Sequence, residues 1–260
     1  MDFIVTTTRD NQDELQSTAL RWARALQVPM IIRNNWNLDK LKKEYEVDAI
    51  LLATSQGPKV YCKGHKFFYH PSMAQLRIEN IKKGQVDYMA EAMDLHPGMR
   101  VLDCTLGLAA DAAIASYMVG PTGKVVGLEA SELLHFVVQN GLKTYDTKDE
   151  DLTAALRRIV AVRADAATYL STRMEEYDVI YFDPMFETPV ESSSNMEPLR
   201  DLAYESKLTP EIIQLALARA PRVVVKERYI KYLRDLGCTI FMGGRYSSVK
   251  YGVILRCKKG

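Results

Sequence analysis

The stretch from Met99 to Asp111, Met-Arg-Val-Leu-Asp-Cys-Thr-Leu-Gly-Leu-Ala-Ala-Asp, constrains this chain more than any other. A short apolar strand runs into a tight turn at Gly107, and an alanine-rich helix follows. Glycine permits backbone angles closed to other residues and lets a ligand approach the main chain closely. The turn delivers that ligand to a helix start, where unpaired N–H groups wait. Val125-Val126-Gly127-Leu128-Glu129 reads as a second strand ending in an acid, and Asp178 to Phe182 as a third, closing in Asp183-Pro184-Met185-Phe186. A strand, a glycine turn, a helix and an acid at the tip of the next strand, about 20 residues on, together imply a nucleoside-binding α/β domain.

Around this stretch the pattern alternates. Strands are expected at Arg100–Cys104, Lys124–Leu128, Ile159–Arg163, Asp178–Phe182 and Arg222–Lys226. Helices are expected at Ala109–Val119, Glu132–Leu142, Ala166–Met174, Pro210–Ala220 and Arg228–Leu236. The strands are near-continuous apolar runs, as a parallel sheet covered on both faces requires. Thr239–Met242 and Lys250–Arg256, separated by Gly243-Gly244, suggest an antiparallel finish. The expectation is a doubly wound, mostly parallel α/β sheet with an antiparallel C-terminal strand.

The first 70 residues carry a separate rhythm. Phe3–Thr7, Pro29–Ile32 and Ala49–Ala53 read as strands, and Leu38–Tyr45 as a short helix. Asp13 and Glu14 suit a helix start, after which Leu15, Ala19, Trp22 and Leu26 share one face. Val60–Cys62 and Lys66–Tyr69 can pair around Gly64. His70-Pro71-Ser72 breaks the pattern, so residues 1–72 are expected to form a small α/β accessory domain. Residues 73–260 then form the main domain, entered through connecting helices at Met73–Lys82 and Gln85–Asp94 (residues 73–98).

Bulk properties exclude several classes. The 260 residues are 47% hydrophobic, enough for a proper core, and 34 basic against 33 acidic residues leave a net charge of +1. Between Ser192 and Gly260 there are 13 Lys/Arg against 6 Asp/Glu. That imbalance hints at a phosphate-bearing substrate, although a solvated surface has the same composition. Four cysteines with no paired spacing fit a reduced, intracellular protein. Cys62, His65 and His70 stand alone as a metal-like cluster and read as ordinary loop and strand residues, so no metal is expected. No run approaches the roughly 20 apolar residues that cross a bilayer, and no signal peptide is apparent. The expectation is a cytoplasmic protein without membrane contact.

The motif series resembles that of class I S-adenosylmethionine-dependent methyltransferases. The residues concerned are Asp103-Cys104-Thr105-Leu106-Gly107, Asp111, Glu129, Asp165 and Asp183-Pro184-Met185-Phe186. Over residues 95–256 the likeness is closer to the bacterial 16S ribosomal RNA guanine-N2 methyltransferases. That family has a Leu-Asp-Ala-Thr-Ala-Gly-Leu-Gly-Arg-Asp turn, an Asp-Pro-Met-Phe strand end and a Val-Val-Val-Lys strand, matched here by Val223-Val224-Val225-Lys226. This chain departs from it at Ala109 and Ala110, which replace Gly and Arg. It also departs at Glu187-Thr188-Pro189 and at Glu227-Arg228.

The resemblance implies a Rossmann-like fold, S-adenosylmethionine as cofactor with S-adenosylhomocysteine as product, and RNA, small-subunit ribosomal RNA in particular, as partner. It assigns Asp103, Thr105, Gly107, Ala110, Asp111, Glu129, Ala130, Asp165 and Ala166 to the cofactor. Asp183, Pro184 and Phe186 fall to catalysis, and Met185, Lys226 and Arg228 to the substrate. Glu129 can take both ribose hydroxyls in a bidentate pair. Asp103 can accept from the cofactor ammonium, and Asp165 from the adenine amino group. The amine of a base is a poor nucleophile because its lone pair is delocalised into the ring. Hydrogen bonds to Asp183 and to the Pro184 carbonyl localise that lone pair, and Phe186 stacks on a flipped base. Structural readings of the same residues stay open. Asp103 and Asp165 also suit helix N-caps, Asp111 suits the dipole of a first helical turn, and Asp183-Pro184 suits a turn start. Two other functions fit the same motifs: methylation of a small molecule or protein carboxylate, and a non-catalytic, cofactor-binding RNA-associated module.

Overall fold

The computed structural model describes residues 1–9, 12–71, 73–184 and 207–257. It divides into two compact units. The smaller comprises Met1–His70 and Phe136–Tyr145, and the larger comprises the remaining described residues.

The smaller unit is a four-stranded sheet with helices. β1 (Phe3–Thr7) leads through α1 (Gln12–Leu26) and α2 (Leu38–Glu44) to β2 (Ala49–Thr54), which lies parallel to β1. β3 (Gly57–Cys62) and β4 (His65–Phe68) continue antiparallel, giving the order β1-β2-β3-β4. Lys63 and Gly64 both hold positive φ, 45° and 84°, as a two-residue hairpin turn demands. Ile4, Leu38, Leu41, Ile50, Leu52 and Tyr61 form the core. Trp22 fills space against Phe136, the rings edge-on with centroids 5.4 Å apart.

The strand expected at Pro29–Ile32 is reduced to a single bridge from Met30 to Val5. Val5 N–H donates to the Pro29 carbonyl and Ile31 N–H to the Val5 carbonyl. Asn34 and Asn35 then take left-handed angles that turn the chain away.

The larger unit holds a seven-stranded sheet: β5 (Arg100–Asp103), β6 (Lys124–Glu129), β7 (Ile159–Arg163), β8 (Val179–Phe182), β9 (Arg222–Glu227), β10 (Ile240–Met242) and β11 (Lys250–Leu255). Their order is β10-β11-β9-β8-β5-β6-β7. β7, β6, β5, β8 and β9 are parallel, while β11 runs antiparallel to both of its neighbours. The sequence expectation of a parallel sheet with an antiparallel C-terminal strand is therefore met. Chain order reverses between β5 and β8, and ligands bind outside the carboxyl ends of strands at such a switch point.

Helices α3 (Ala74–Lys82), α4 (Tyr88–Met93), α5 (Ala110–Val119), α6 (Glu132–Thr144), α7 (Glu150–Arg158), α8 (Ala166–Thr172), α9 (Pro210–Arg219) and α10 (Ile230–Asp235) complete the described elements. α4 starts later than Gln85 because the Asp87 carboxylate accepts the Ala90 N–H at 3.0 Å and fixes the cap there. It stops at Asp94, whose φ of 55° is left-handed. α7 has no counterpart among the expected elements. Its signals were present: Asp149 caps it, Glu150 and Asp151 open it, Arg157 and Arg158 close it, and Leu152, Ala155 and Leu156 are buried. It docks on α5, where the Ser116 hydroxyl donates to the Ala155 carbonyl at 2.7 Å.

Candidate active site

The site is built at the carboxyl edge of the large sheet, where β5, β6, β8 and β9 deliver Asp103, Glu129, Asp183 and Lys226. After β5 the chain folds on itself. The Asp103 carboxylate accepts the Thr105 N–H at 2.9 Å and the Thr105 hydroxyl at 3.2 Å. Asp103 therefore organises the turn; the residue at the α5 N-cap is Ala109, so the helix-capping alternative for Asp103 is not realised. Burial, with Asp111 and Asp183 nearby, pushes the Asp103 carboxyl up to about 7. Thr105 Oγ1 also accepts the Asp183 N–H at 2.7 Å, tying the tips of β5 and β8 together.

The turn then presses on β6. Leu106 N–H donates to the Leu128 carbonyl at 2.9 Å, and the Leu106 side chain lies so close over Gly127 that a Cβ there would sit 2.3 Å from Cδ1. A larger residue at position 127 would force the Leu106 side chain to move. Gly107 takes a positive φ of 48°. The Glu129 carboxylate, 8% exposed, accepts the Ser131 N–H at 2.9 Å and is also bonded by the Gly107 and Ala130 main chain. Burial nevertheless pushes it up to about 7, the main-chain donors only partly offsetting the desolvation.

Asp111, in the first turn of α5, lies among charged and polar partners. Its carboxylate faces the Arg77 guanidinium of α3, the Tyr181 hydroxyl at 2.8 Å and Lys226 Nζ at 3.2 Å. Burial alone would raise its pKa, but Lys226, Arg77 and Tyr181 outweigh it and hold the carboxyl low. Asp111 is thus part of a salt-bridge network with Arg77 and Lys226. Arg77 is held on its other side by Asp87 at 2.8 and 3.0 Å.

Lys226, assigned to the substrate by the resemblance, lies between two carboxylates. Its Nζ lies 2.7 Å from Asp183 Oδ2, and its side chain is 21% exposed. Burial lowers the ammonium's pKa, and Asp111 and Asp183 more than restore it. The Asp183 side chain keeps 28% exposure, enough to be reached from solvent. Burial raises its carboxyl above the ordinary range, and Lys226 opposes that rise.

Asp165 caps α8, accepting the Thr168 N–H at 2.9 Å, so its structural reading is realised. Ala166 begins that helix and Ala110 begins α5; Ala130 follows β6, and Arg228, half-buried, follows β9. Pro184 comes directly after Asp183 at the tip of β8. Met185 and Phe186 lie outside the described residues. Sequence reasoning missed Arg77, Asp87, Tyr181 and Tyr251. Tyr181 had a signal, being a polar tip in an apolar strand that needs a buried partner. Arg77 had none, since Asp87 and Asp111 stand 10 and 34 residues along the chain, on other elements.

The family model described as "Putative SAM-dependent methyltransferase" matches residues 47–247. The chain belongs to this methyltransferase family. It is 36% identical over 254 residues to "Uncharacterized protein YpiP" of Bacillus subtilis, covering 96% of this chain and 98% of that protein. It is also 28% identical over 216 residues to ribosomal RNA small subunit methyltransferase J of Coxiella burnetii, covering 81% of each. The protein of that name from Magnetococcus marinus is 31% identical over 175 residues, 62% of this chain and 67% of the relative. Among solved structures, the SAM-dependent methyltransferase NGO1261 of Neisseria gonorrhoeae superposes with a TM-score of 0.66 at 17% identity. That match covers 98% of this chain and 96% of the other, and it supports the Rossmann-like methyltransferase fold.

The site suits S-adenosylmethionine. A buried carboxylate ends β6, a left-handed glycine opens the main chain beside it, and further acids stand at the tips of β5 and β8. Such an edge offers acceptors for ribose hydroxyls and an ammonium without a metal or a deep apolar slot.

Proposed function

We propose that this methyltransferase modifies an exocyclic amine of an RNA base, guanine N2 of small-subunit ribosomal RNA in particular. The observation that carries the reading is Asp183. It sits at the carboxyl end of β8, one strand away from β5 and two from Glu129, with its main chain pinned by Thr105. The relatives named ribosomal RNA small subunit methyltransferase J support the choice of acceptor.

S-adenosylmethionine, when bound, supplies a methyl group on a sulfonium that leaves as a neutral thioether. The protein's task is then alignment, which can account for much of the rate. Glu129 binds the ribose hydroxyls through lone pairs its main-chain donors leave unused. Asp103 and the Gly107 turn receive the amino-acid end. Asp183 and the Pro184 carbonyl accept the two N–H bonds of the acceptor amine, returning lone-pair density to nitrogen and aiming it along the line of attack. As the N–C bond forms, the amine sheds one proton to water. Phe186 is assigned to stacking on the base, Met185 to contact with the substrate, and Arg228 to an RNA phosphate.

Residues 1–72 are assigned as an accessory domain to the catalytic domain of residues 73–260, in a cytoplasmic enzyme. Among the described residues, no helix is long and apolar enough to cross a membrane. Incubation with labelled cofactor and undermethylated 16S RNA, followed by nucleoside mass spectrometry, tests the proposal. Appearance of N2-methylguanosine supports it. Transfer only to small acceptors or protein carboxylates, or no transfer at all, overturns it.

A further inference from the structure

We propose that Lys226 is a positioning residue for Asp183: its ammonium grips Oδ2, keeps the carboxylate charged, and turns Oδ1 toward the acceptor amine. This inference rests on the reading of Asp183 just given.

The geometry is a chain of alternating charge. Asp87 holds Arg77, Arg77 holds Asp111, Asp111 holds Lys226, and Lys226 holds Asp183. The Tyr181 hydroxyl braces Asp111 from β8, so Lys226 is anchored on a carboxylate fixed from two other directions. At its end, Asp183 is held at both main chain and side chain, by Thr105 and by Lys226. Among the described residues the Asp183 side chain is gripped at Oδ2, by Lys226, and fixing one oxygen sets the direction of the other.

The surroundings explain why a cation is needed. Asp103 from β5, Asp111 from α5 and Glu227 from β9 raise the cost of a charge on Asp183, as does the burial itself. Tyr181 from β8 and Tyr251 from β11 stand in the same network. Without a counter-charge, a carboxyl in such company takes up a proton. A protonated acid has fewer lone pairs for an N–H donor and no charge to strengthen the bond, so the amine would face a weaker acceptor. An ammonium already shared by two carboxylates also has little left to offer an RNA phosphate, which separates this role from the one expected from sequence.

The test is a pH titration of Asp183 by NMR, using aspartate selectively labelled at the side-chain carbonyl carbon in the full-length, cofactor-free protein. The resonance is assigned by its loss in Asp183→Asn. In Lys226→Met the midpoint rises by about one unit or more, since the opposing charge is gone. Lys226→Arg restores it to within about half a unit. Asp111→Asn moves it the other way, downward, because a repelling carboxylate is removed and Lys226 is left to Asp183 alone. A merely structural role would not produce opposite shifts. In parallel, methyl transfer to undermethylated small-subunit ribosomal RNA should show kcat for Lys226→Met reduced about 10²-fold at pH 7. It should recover partly toward pH 9, with KM for RNA unchanged.

Identical midpoints in all variants overturn the inference. So does a raised KM with a flattened salt dependence and unchanged kcat, the mark of a phosphate contact. Should Asp183→Asn retain full activity, the reading of Asp183 itself fails, and the titration still reports on the Lys226 interaction separately.

Discussion

In the four-stranded sheet the buried polar side chains are the hydroxyls of Thr6 and Thr7. Among the described residues of the seven-stranded sheet and its turns, they include the carboxylates of Asp103, Glu129 and Glu227. Both sheets bury apolar strands in much the same way, so the hydrophobic effect does not separate them. Charge does. Thr6 Oγ1 donates to the Ile31 carbonyl at 2.7 Å, a neutral bond that closes its local accounts. Asp103 and Glu129 instead remain as acids whose pKa values are pushed up to about 7 by burial. A fold that only had to be stable would have no use for them. Their cost marks this edge as the candidate ligand site.

The comparison can be broken most decisively at Asp183. Asp183→Asn should lower methyl transfer about 10²- to 10³-fold, while binding of S-adenosylhomocysteine by calorimetry stays within about threefold. Equal loss in both measurements would turn the residue into a structural support. Next comes Glu129. Its carboxyl is raised from 4.5 to about 7, so the folded state binds more protons than the unfolded chain across that window. Stability contributed by this group is therefore greatest below the window and falls as pH rises through it. Glu129→Gln should then stabilise the cofactor-free protein at pH 8 by about 1–3 kcal/mol, read from chemical denaturation. The same change should weaken S-adenosylhomocysteine binding by about tenfold or more, roughly 1.4 kcal/mol.

In the smaller sheet the sign reverses. Thr6→Val removes a donor from the Ile31 carbonyl and should cost about 1 kcal/mol at any pH between 5 and 8, with no effect on cofactor binding. A pH-dependent cost would contradict the contrast. The smallest effect is expected at Ala109, which adopts a left-handed φ of 60°. Ala109→Gly relieves roughly 1 kcal/mol of backbone strain and gives up a buried methyl worth roughly 0.8 kcal/mol. The melting temperature should hardly move.

The contrast also shows what sequence could convey. The parallel sheet was legible because its strands are unbroken runs such as Val223-Val224-Val225, and the tight turn after Leu102-Asp103 was legible from Gly107. The strand-tip positions of Glu129 and Asp183 were legible because an acid after an apolar run is a local signal. The ion pairs of Asp111 and Lys226 were not legible, because their partners lie 34 and 43 residues away along the chain, at Arg77 and Asp183 respectively. Only tertiary packing shows that each is matched to an opposite charge. α7 was overlooked because it runs straight into β7 with no breaker residue between Arg158 and Ile159.

A crystal structure with S-adenosylhomocysteine bound bears most directly on the whole account. The expected result is a ribose within hydrogen-bonding distance of Glu129 and a thioether sulfur facing Asp183, with Lys226 still on the Asp183 carboxylate. A ligand seated away from the tips of β5 and β6, or a Glu129 carboxylate turned from it, would contradict the central claim.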